Sequence, residues 1–173
     1  MQSTEEPKIR HKSFTYTTGL TWTEGRIGTM TSHGKPAIRI SSPQEFKGSA
    51  GYWTPEDMFV AAVEMCQMLT FIGIAQKQSV PFVAYHSSAK GTLEFIDGQY
   101  RFTHVVITPT VVIEDPTAEA AVRTVLREAH KRCLIANSIT AVVEVNPTII
   151  TGQPDVTGDA RKEEANSKSL EVL

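Results

Sequence analysis

The sequence predicts an α+β fold, and three observations predict it. Runs rich in Thr, Val and aromatic residues, several of them alternating, mark strands, and most are joined by short turn signals. Two stretches, Thr54 to Lys77 and Asp115 to Arg132, have helical length and helix start signals. The resulting order, βββ-α-ββ-α-β, lets successive strands pair through hairpins rather than helical crossovers.

Each element has its own warrant. Met1 to Lys12 is polar and is expected to fray. Phe14 to Thr23 reads as the first strand, Glu24-Gly25 as a turn and Arg26 to Ser32 as the return strand. His33-Gly34-Lys35-Pro36 is a second turn, and Ala37 to Ser41 a third strand. Ser42 to Tyr52 is a Pro-, Gly- and Ser-rich loop. Thr54 then suits an N-cap, Pro55 the first turn, and Glu56 and Asp57 the positive end of a helix dipole. A helix from there to Lys77 would be about 36 Å long. It is apolar on most of its circumference, so it should be buried nearly all round, and a partner chain is a natural way to cover it.

Pro81 to Phe95 and Gln99 to Ile113 are long strands meeting at Asp97-Gly98, a strong hairpin signal. Asp115-Pro116-Thr117 opens the second helix, which runs to about Arg132, and Thr140 to Val145 is a last short strand. Residues 1–150 are expected to form a single domain, with 151–173 a polar tail. The closing Leu170-Glu171-Val172-Leu173 resembles the start of an engineered protease site.

Composition narrows the function classes. The net charge of −2, from 17 basic and 19 acidic groups, gives no electrostatic reason to expect nucleic acid or an anionic membrane as partner. The longest apolar run, Met58 to Ala75, is interrupted by Glu64 and Gln67, so no transmembrane helix is expected. Without a signal-peptide core at the N-terminus, the expected location is cytoplasmic, where a functional disulfide would be transient.

The chemistry rests on two cysteines. Cys66 lies mid-helix among Val63, Met65, Met68 and Leu69, where burial alone would raise its pKa. An inert core cysteine explains it equally well. A reactive thiolate needs help from elsewhere, and a buried arginine is the preferred source. Arg26 and Arg39, both in the N-terminal strands, are the candidates, although a solvated surface role suits either. Glu56 fits the helix N-terminus electrostatically, or it clamps that arginine. It stands ten residues before Cys66, about 15 Å along one helix. Two antiparallel copies in a dimer are the arrangement most compatible with one shared site on a straight helix; a kink, or an arginine spanning the gap, would allow a single-chain site. Cys133 follows His130-Lys131-Arg132 at a helix C-terminus, where the dipole disfavours a thiolate. That suits a resolving cysteine, or simply a packing residue. Five histidines without metal spacing, no C-x-x-C and no phosphate-binding glycine motif leave no expected metal or cofactor.

These residues resemble the OsmC/Ohr family of thiol peroxidases (osmotically inducible and organic hydroperoxide resistance proteins). Thr54-Pro55-Glu56-Asp57-Met58-Phe59-Val60-Ala61-Ala62, with Cys66 beyond, is similar to the family's N/T-P-E-x-L-x-x-A-x-x-x-C block. Ala129 to Asn137 is similar to its A-x-x-x-C-P-x-S-N block, and Trp22 to Gly28 to its G-R-x-G turn. The likeness spans about residues 14–147. It implies antiparallel sheets around long central helices in an intertwined homodimer, with two active sites at the subunit interface. It implies Cys66 as the peroxide-attacking thiolate and Cys133 as the thiol that condenses with its sulfenic acid. Arg26 would stabilise the thiolate and polarise the peroxide, with Glu56 holding that arginine. In some branches the arginine stands where Arg39 does. The implied substrate is an organic hydroperoxide, and the implied reductant a dithiol such as a lipoyl-type carrier. Two departures stand out: Leu134 takes the place of the usual proline, and Glu64-Met65-Cys66-Gln67 replaces small residues and C-F. The alternative is a non-catalytic dimer of the same fold whose groove binds or senses an apolar small molecule.

Overall fold

The computed structural model describes residues 12–152. The expected frayed segment up to residue 11 and the tail and protease-site scar beyond 152 lie outside them. The chain divides into two compact units between Met58 and Phe59, within the first long helix.

In the first unit, β1 (Gly19–Glu24), β2 (Ile27–Thr31) and β3 (Ile38–Ser41) form an antiparallel meander in that order. The turn after β1 is braced by Trp22 Nε1, which donates to the Gly25 carbonyl at 3.0 Å. The first strand begins at Gly19, later than the expected Phe14. Thr31 is the last residue of β2, paired with Gly19, and the chain then turns through Ser32–Lys35, leaving residues before Gly19 without a β2 partner. The expected loop of residues 42–52 contains a 3-10 helix, Gln44–Phe46. At Thr54 the predicted N-cap is a reciprocal capping box. Thr54 Oγ1 accepts from the Asp57 N–H at 3.1 Å, and Asp57 Oδ2 accepts from the Thr54 N–H at 3.0 Å. It opens α1, Pro55–Lys77.

In the second unit, β4 (Ala84–Ile96) and β5 (Gln99–Ile113) form the expected long hairpin. Asp97 and Gly98 both take positive φ, 52° and 82°, as a two-residue turn of this hand requires. β5 then carries two parallel strands on its other side. β6 (Val142–Val145) pairs with His104–Ile107, and β7 (Thr148–Thr151) with Thr110–Ile113. Their junction faces Thr108 and Pro109, and it contains Pro147; neither proline brings an N–H to a ladder. β7 was not expected from the sequence, because only Ile149 of its four residues is even half-buried. The parallel pairing of β6 also departs from the hairpin expectation.

α1 lies against this sheet. Phe59 stacks on Phe102 of β5 with ring centroids 4.4 Å apart. The approach is close enough that a Cβ on Gly91 of β4 would meet Val60 Cγ2 at 2.5 Å. Val63, Val105 and Ile107 form one core cluster. Phe71, Ile74, Ala75, Val111 and Ile113 form another with Val122, Val125, Leu126 and Ala129 of α2 (Glu119–Arg132). α2 is introduced by a 3-10 turn, Pro116–Ala118, whose N-cap Asp115 accepts from the Thr117 N–H at 2.8 Å.

One expectation for α1 needs correction. By length and composition it does reach what a membrane span requires, with a mean hydropathy of 1.8 over 18 residues. Its buried residues Val63, Phe71, Ile74 and Ala75 are nevertheless core residues of this fold. It is also not covered all round within one chain. Met65 and Leu69, one turn apart, remain 55% and 57% exposed.

Candidate active site

Cys66 sits in the middle of α1, and Cys133 is the residue that ends α2. Packing α1 on α2 brings the two thiols together. Both are free, and each acts on the acidity of the other. Cys133 is 1% exposed, whereas Cys66 is half-buried.

The chain reverses sharply after Cys133. Cys133 itself is extended (φ −63°, ψ 111°), Ile135 is helical (φ −68°, ψ −47°), and a 3-10 helix follows at Ala136–Ser138. The reversal is braced by the Asn137 N–H on the Cys133 carbonyl at 3.0 Å and by Ser138 Oγ on the Leu134 carbonyl at 2.8 Å. It turns a backbone donor toward one sulfur. The Ala136 N–H donates to Cys133 Sγ at 3.5 Å. The Thr70 hydroxyl, one helical turn beyond Cys66, acts on the acidity of that thiol.

The two thiols are therefore unequal. Burial pushes the Cys66 thiol up, but donation by Cys133, Ile135, Thr70 and Leu134 outweighs it and leaves the thiol below its ordinary 9.0. Burial pushes Cys133 up as well, and its own proton is held by Cys66, so it reaches about 11. For Cys133, burial rather than the expected helix dipole is the leading cause. For Cys66, the groups that lower the thiol are neutral rather than the expected cation.

The other candidates stand as follows. Arg26 is exposed at the turn between β1 and β2. Arg39 is exposed on β3, opposite Thr29, with its guanidinium 5.3 Å from the centre of the Tyr52 ring. Glu56 is in the first turn of α1, with Oε2 shielded from solvent and meeting no donor among the described residues. None of the three takes part in a salt bridge among those residues. Glu64 and Gln67, read as polar neighbours of Cys66, are engaged elsewhere. Glu64 accepts from Ser87 Oγ of β4 at 2.6 Å, and Gln67 donates to the Leu126 carbonyl of α2 at 3.3 Å. Thr70 and the N–H groups of residues 134–136 went unnoticed in the sequence. Backbone donors carry no residue signature, and a threonine four residues after a cysteine is a weak one. Among the described residues no three His, Cys, Asp or Glu side chains gather to hold a metal ion. A recess of about 320 Å³ lined by Gly51, Tyr52, Trp53 and Asp57 holds neither cysteine.

Residues 47–148 match the family model described as OsmC-like protein. An OsmC-like protein of unknown function from Vibrio cholerae superposes with a TM-score of 0.68 at 29% identity, covering 80% of this chain and 100% of that one. An organic hydroperoxide resistance protein from Elizabethkingia anophelis superposes at 0.63 with 21% identity, covering 82% of this chain and 100% of the other. The uncharacterized protein YmaD of Bacillus subtilis is 21% identical over 122 residues, which are 69% of this chain and 81% of that protein. The α+β fold expected from the sequence is that of these structures.

Proposed function

The chain belongs to the OsmC-like protein family, and from that premise we propose that it is a two-cysteine thiol peroxidase acting on organic hydroperoxides. One observation carries the reading: the middle of α1 and the end of α2 bring the two free thiols close enough to act on each other, Cys66 lowered and Cys133 raised. A chemically symmetrical pair would favour neither role; the unequal acidities support Cys66 as attacker and Cys133 as resolver.

The Cys66 thiolate attacks the distal oxygen of the hydroperoxide, forming an S–O bond as the O–O bond breaks. The alkoxide leaves and is protonated to the alcohol. The Cys133 sulfur then attacks the sulfenic acid of Cys66. The disulfide forms, and the hydroxyl departs with the Cys133 proton as water. A dithiol reductant restores both thiols by exchange and is itself oxidised to a disulfide. Arg26, with Arg39 as the alternative, polarises the peroxide, and Glu56 positions that arginine; the Glu56 Oε2, which meets no donor among the described residues, supports this role. The ten residues between Glu56 and Cys66 favour a homodimer in which Glu56 of one copy approaches Cys66 of the other. The apolar pair Met65 and Leu69, exposed on α1, suits such an interface.

The test is consumption of cumene hydroperoxide with dihydrolipoamide as donor, alongside mass spectrometry after one equivalent of peroxide. Turnover, its loss in Cys66→Ser, and a Cys66–Cys133 disulfide are expected. Absence of that disulfide overturns the two-cysteine cycle. An unchanged rate in Cys66→Ser overturns the peroxidase assignment at this residue.

A further inference from the structure

We propose that Asn137 is a positioning residue for the resolving step: it closes the turn after α2 and so fixes where the Cys133 sulfur stands. This deepens the two-cysteine reading and rests on it. The helix alone holds Cys133 loosely. The Cys133 N–H reaches the His130 carbonyl at 3.4 Å, and the chain then leaves helical backbone. Leu134 and Ile135, the next two residues, are 75% and 38% exposed, so packing does little to hold them. Asn137 closes the turn from its far side. Its N–H donates to the Cys133 carbonyl at 3.0 Å, and its side-chain Nδ2 donates to the Lys131 carbonyl, also at 3.0 Å. Lys131 is in the last turn of α2, where carbonyls lack helical partners. One residue therefore ties the returning chain both to Cys133 and to the helix end two residues before it. Ser138 adds its N–H on the Ile135 carbonyl at 2.9 Å and its Oγ on the Leu134 carbonyl at 2.8 Å. In the turn so closed, the Ala136 N–H meets Cys133 Sγ at 3.5 Å. α2 itself is anchored beside Cys66, because Gln67 donates to the Leu126 carbonyl, two helical turns before Cys133. Asn137 is exposed and works through the Cys133 backbone.

A disulfide closes only from a narrow set of sulfur placements, and a nucleophile already held near its target reaches it faster. Asn137 should therefore bear on the second thiol–disulfide step and not on the first. A peroxide-free assay separates the two. The reduced full-length chain is mixed with one equivalent of dithiobis(nitrobenzoate). The Cys66 thiolate attacks the aromatic disulfide, whose S–S bond breaks and releases one thionitrobenzoate. The Cys133 sulfur then attacks the Cys66 sulfur of the mixed disulfide. The Cys66–Cys133 bond forms, the second thionitrobenzoate leaves, and the Cys133 proton goes to solvent. This second phase is first-order and independent of concentration, and Cys133→Ser, which stops at one thionitrobenzoate, identifies it.

Asn137→Ala removes the bond to Lys131 and keeps the backbone N–H. Asn137→Asp keeps the size and turns an acceptor toward the Lys131 carbonyl. The second phase should slow about fivefold in Asn137→Ala, the scale of one net hydrogen bond, and further in Asn137→Asp, while the first phase stays within about twofold of the wild type. An unchanged second phase, or equal slowing of both phases, overturns the proposal, as does a wild type that releases no second thionitrobenzoate. If circular dichroism shows that Asn137→Ala does not fold, Asn137→Gln decides, since it keeps an amide donor on a longer chain. A slowed second phase with an unchanged first supports the role, and any other pattern overturns it. The assay contains no peroxide. Closure that depends on Asn137 in a protein without cumene hydroperoxide turnover sinks the peroxidase reading and leaves the positioning role standing; turnover with closure indifferent to Asn137 does the reverse.

Discussion

Gln67→Met should stabilise this protein, although Gln67 neighbours Cys66 in the sequence. Gln67 is 1% exposed. Its Nε2 makes one long hydrogen bond to the Leu126 carbonyl, 3.3 Å, and its Oε1 is buried without a donor among the described residues. A net hydrogen bond contributes about 0.5–1.5 kcal/mol, the long one falling at the lower end, while a buried orphan acceptor costs about 1–3 kcal/mol. Leu126 lies inside α2, so its carbonyl keeps its helical partner when the amide is removed. Methionine matches the length of glutamine and adapts to the same space. The balance favours Gln67→Met by about 1 kcal/mol, equivalent to a Tm rise of about 2–4 °C at this chain length. Urea unfolding of the reduced protein, at matched protein concentration, measures it. Gln67→Ala serves as the opposite control, with a cavity cost of about 2 kcal/mol or more. A loss of 1 kcal/mol or more in Gln67→Met refutes the reasoning, since it would mean that Oε1 has a partner worth keeping.

Three further outcomes are expected. Gly91→Ala should cost about 1–3 kcal/mol by the same urea assay, because its Cβ would fall 2.5 Å from Val60 Cγ2 and 2.8 Å from Phe102 Cε1. Cys133→Ala should leave a Cys66 sulfenic acid that dimedone traps after one equivalent of peroxide, with no intramolecular disulfide by mass spectrometry. Stability should fall between pH 9 and about 11 in the reduced protein. The folded Cys133 thiol is raised to about 11, so its contribution is complete below the unfolded value of 9.0 and is lost as pH rises through the folded one. The lowered Cys66 works in the other direction, with its contribution present above 9.0 and lost as pH falls through its folded value. Urea midpoints across pH 7–11 should therefore decline above pH 9 in the wild type and much less in Cys133→Ala.

The sequence made the local elements legible where chemistry and position coincide. Asp97-Gly98 specified its hairpin turn, and Thr54-Pro55-Glu56-Asp57 its helix start, since each signal acts within four residues. β7 was hidden because a short strand pairing in parallel with a distant one leaves little local pattern. The site divided the same way. Cys66 and Cys133 were readable as a candidate pair because they are the two thiols in the sequence. Their acidities were not, because they depend on N–H groups that every residue except proline carries. Leu134 shows the limit well: read as a departure at a position where the family resemblance has proline, it supplies a donor that proline lacks.

In the proposed cycle the asymmetry of the two thiols would also order the reaction in time. Two of the influences that keep Cys133 protonated come from Cys66: the hydrogen bond to its sulfur and the charge that sulfur carries. Both belong to the thiolate. Once Cys66 is a sulfenic acid, its charge is gone. Burial then opposes the N–H donors of Ala136 and Ile135 without help from Cys66. The Cys133 thiol should become more acidic at the moment its thiolate is needed as a nucleophile, and stay protonated before that, when a second thiolate would compete for peroxide. Cys66→Ala imitates the loss of charge without the oxidation. In that variant Cys133 should be alkylated by iodoacetamide at a lower pH than in the wild type. A midpoint left near 11 would mean that burial alone holds the proton and that the resolving step gains nothing from the oxidation of its partner.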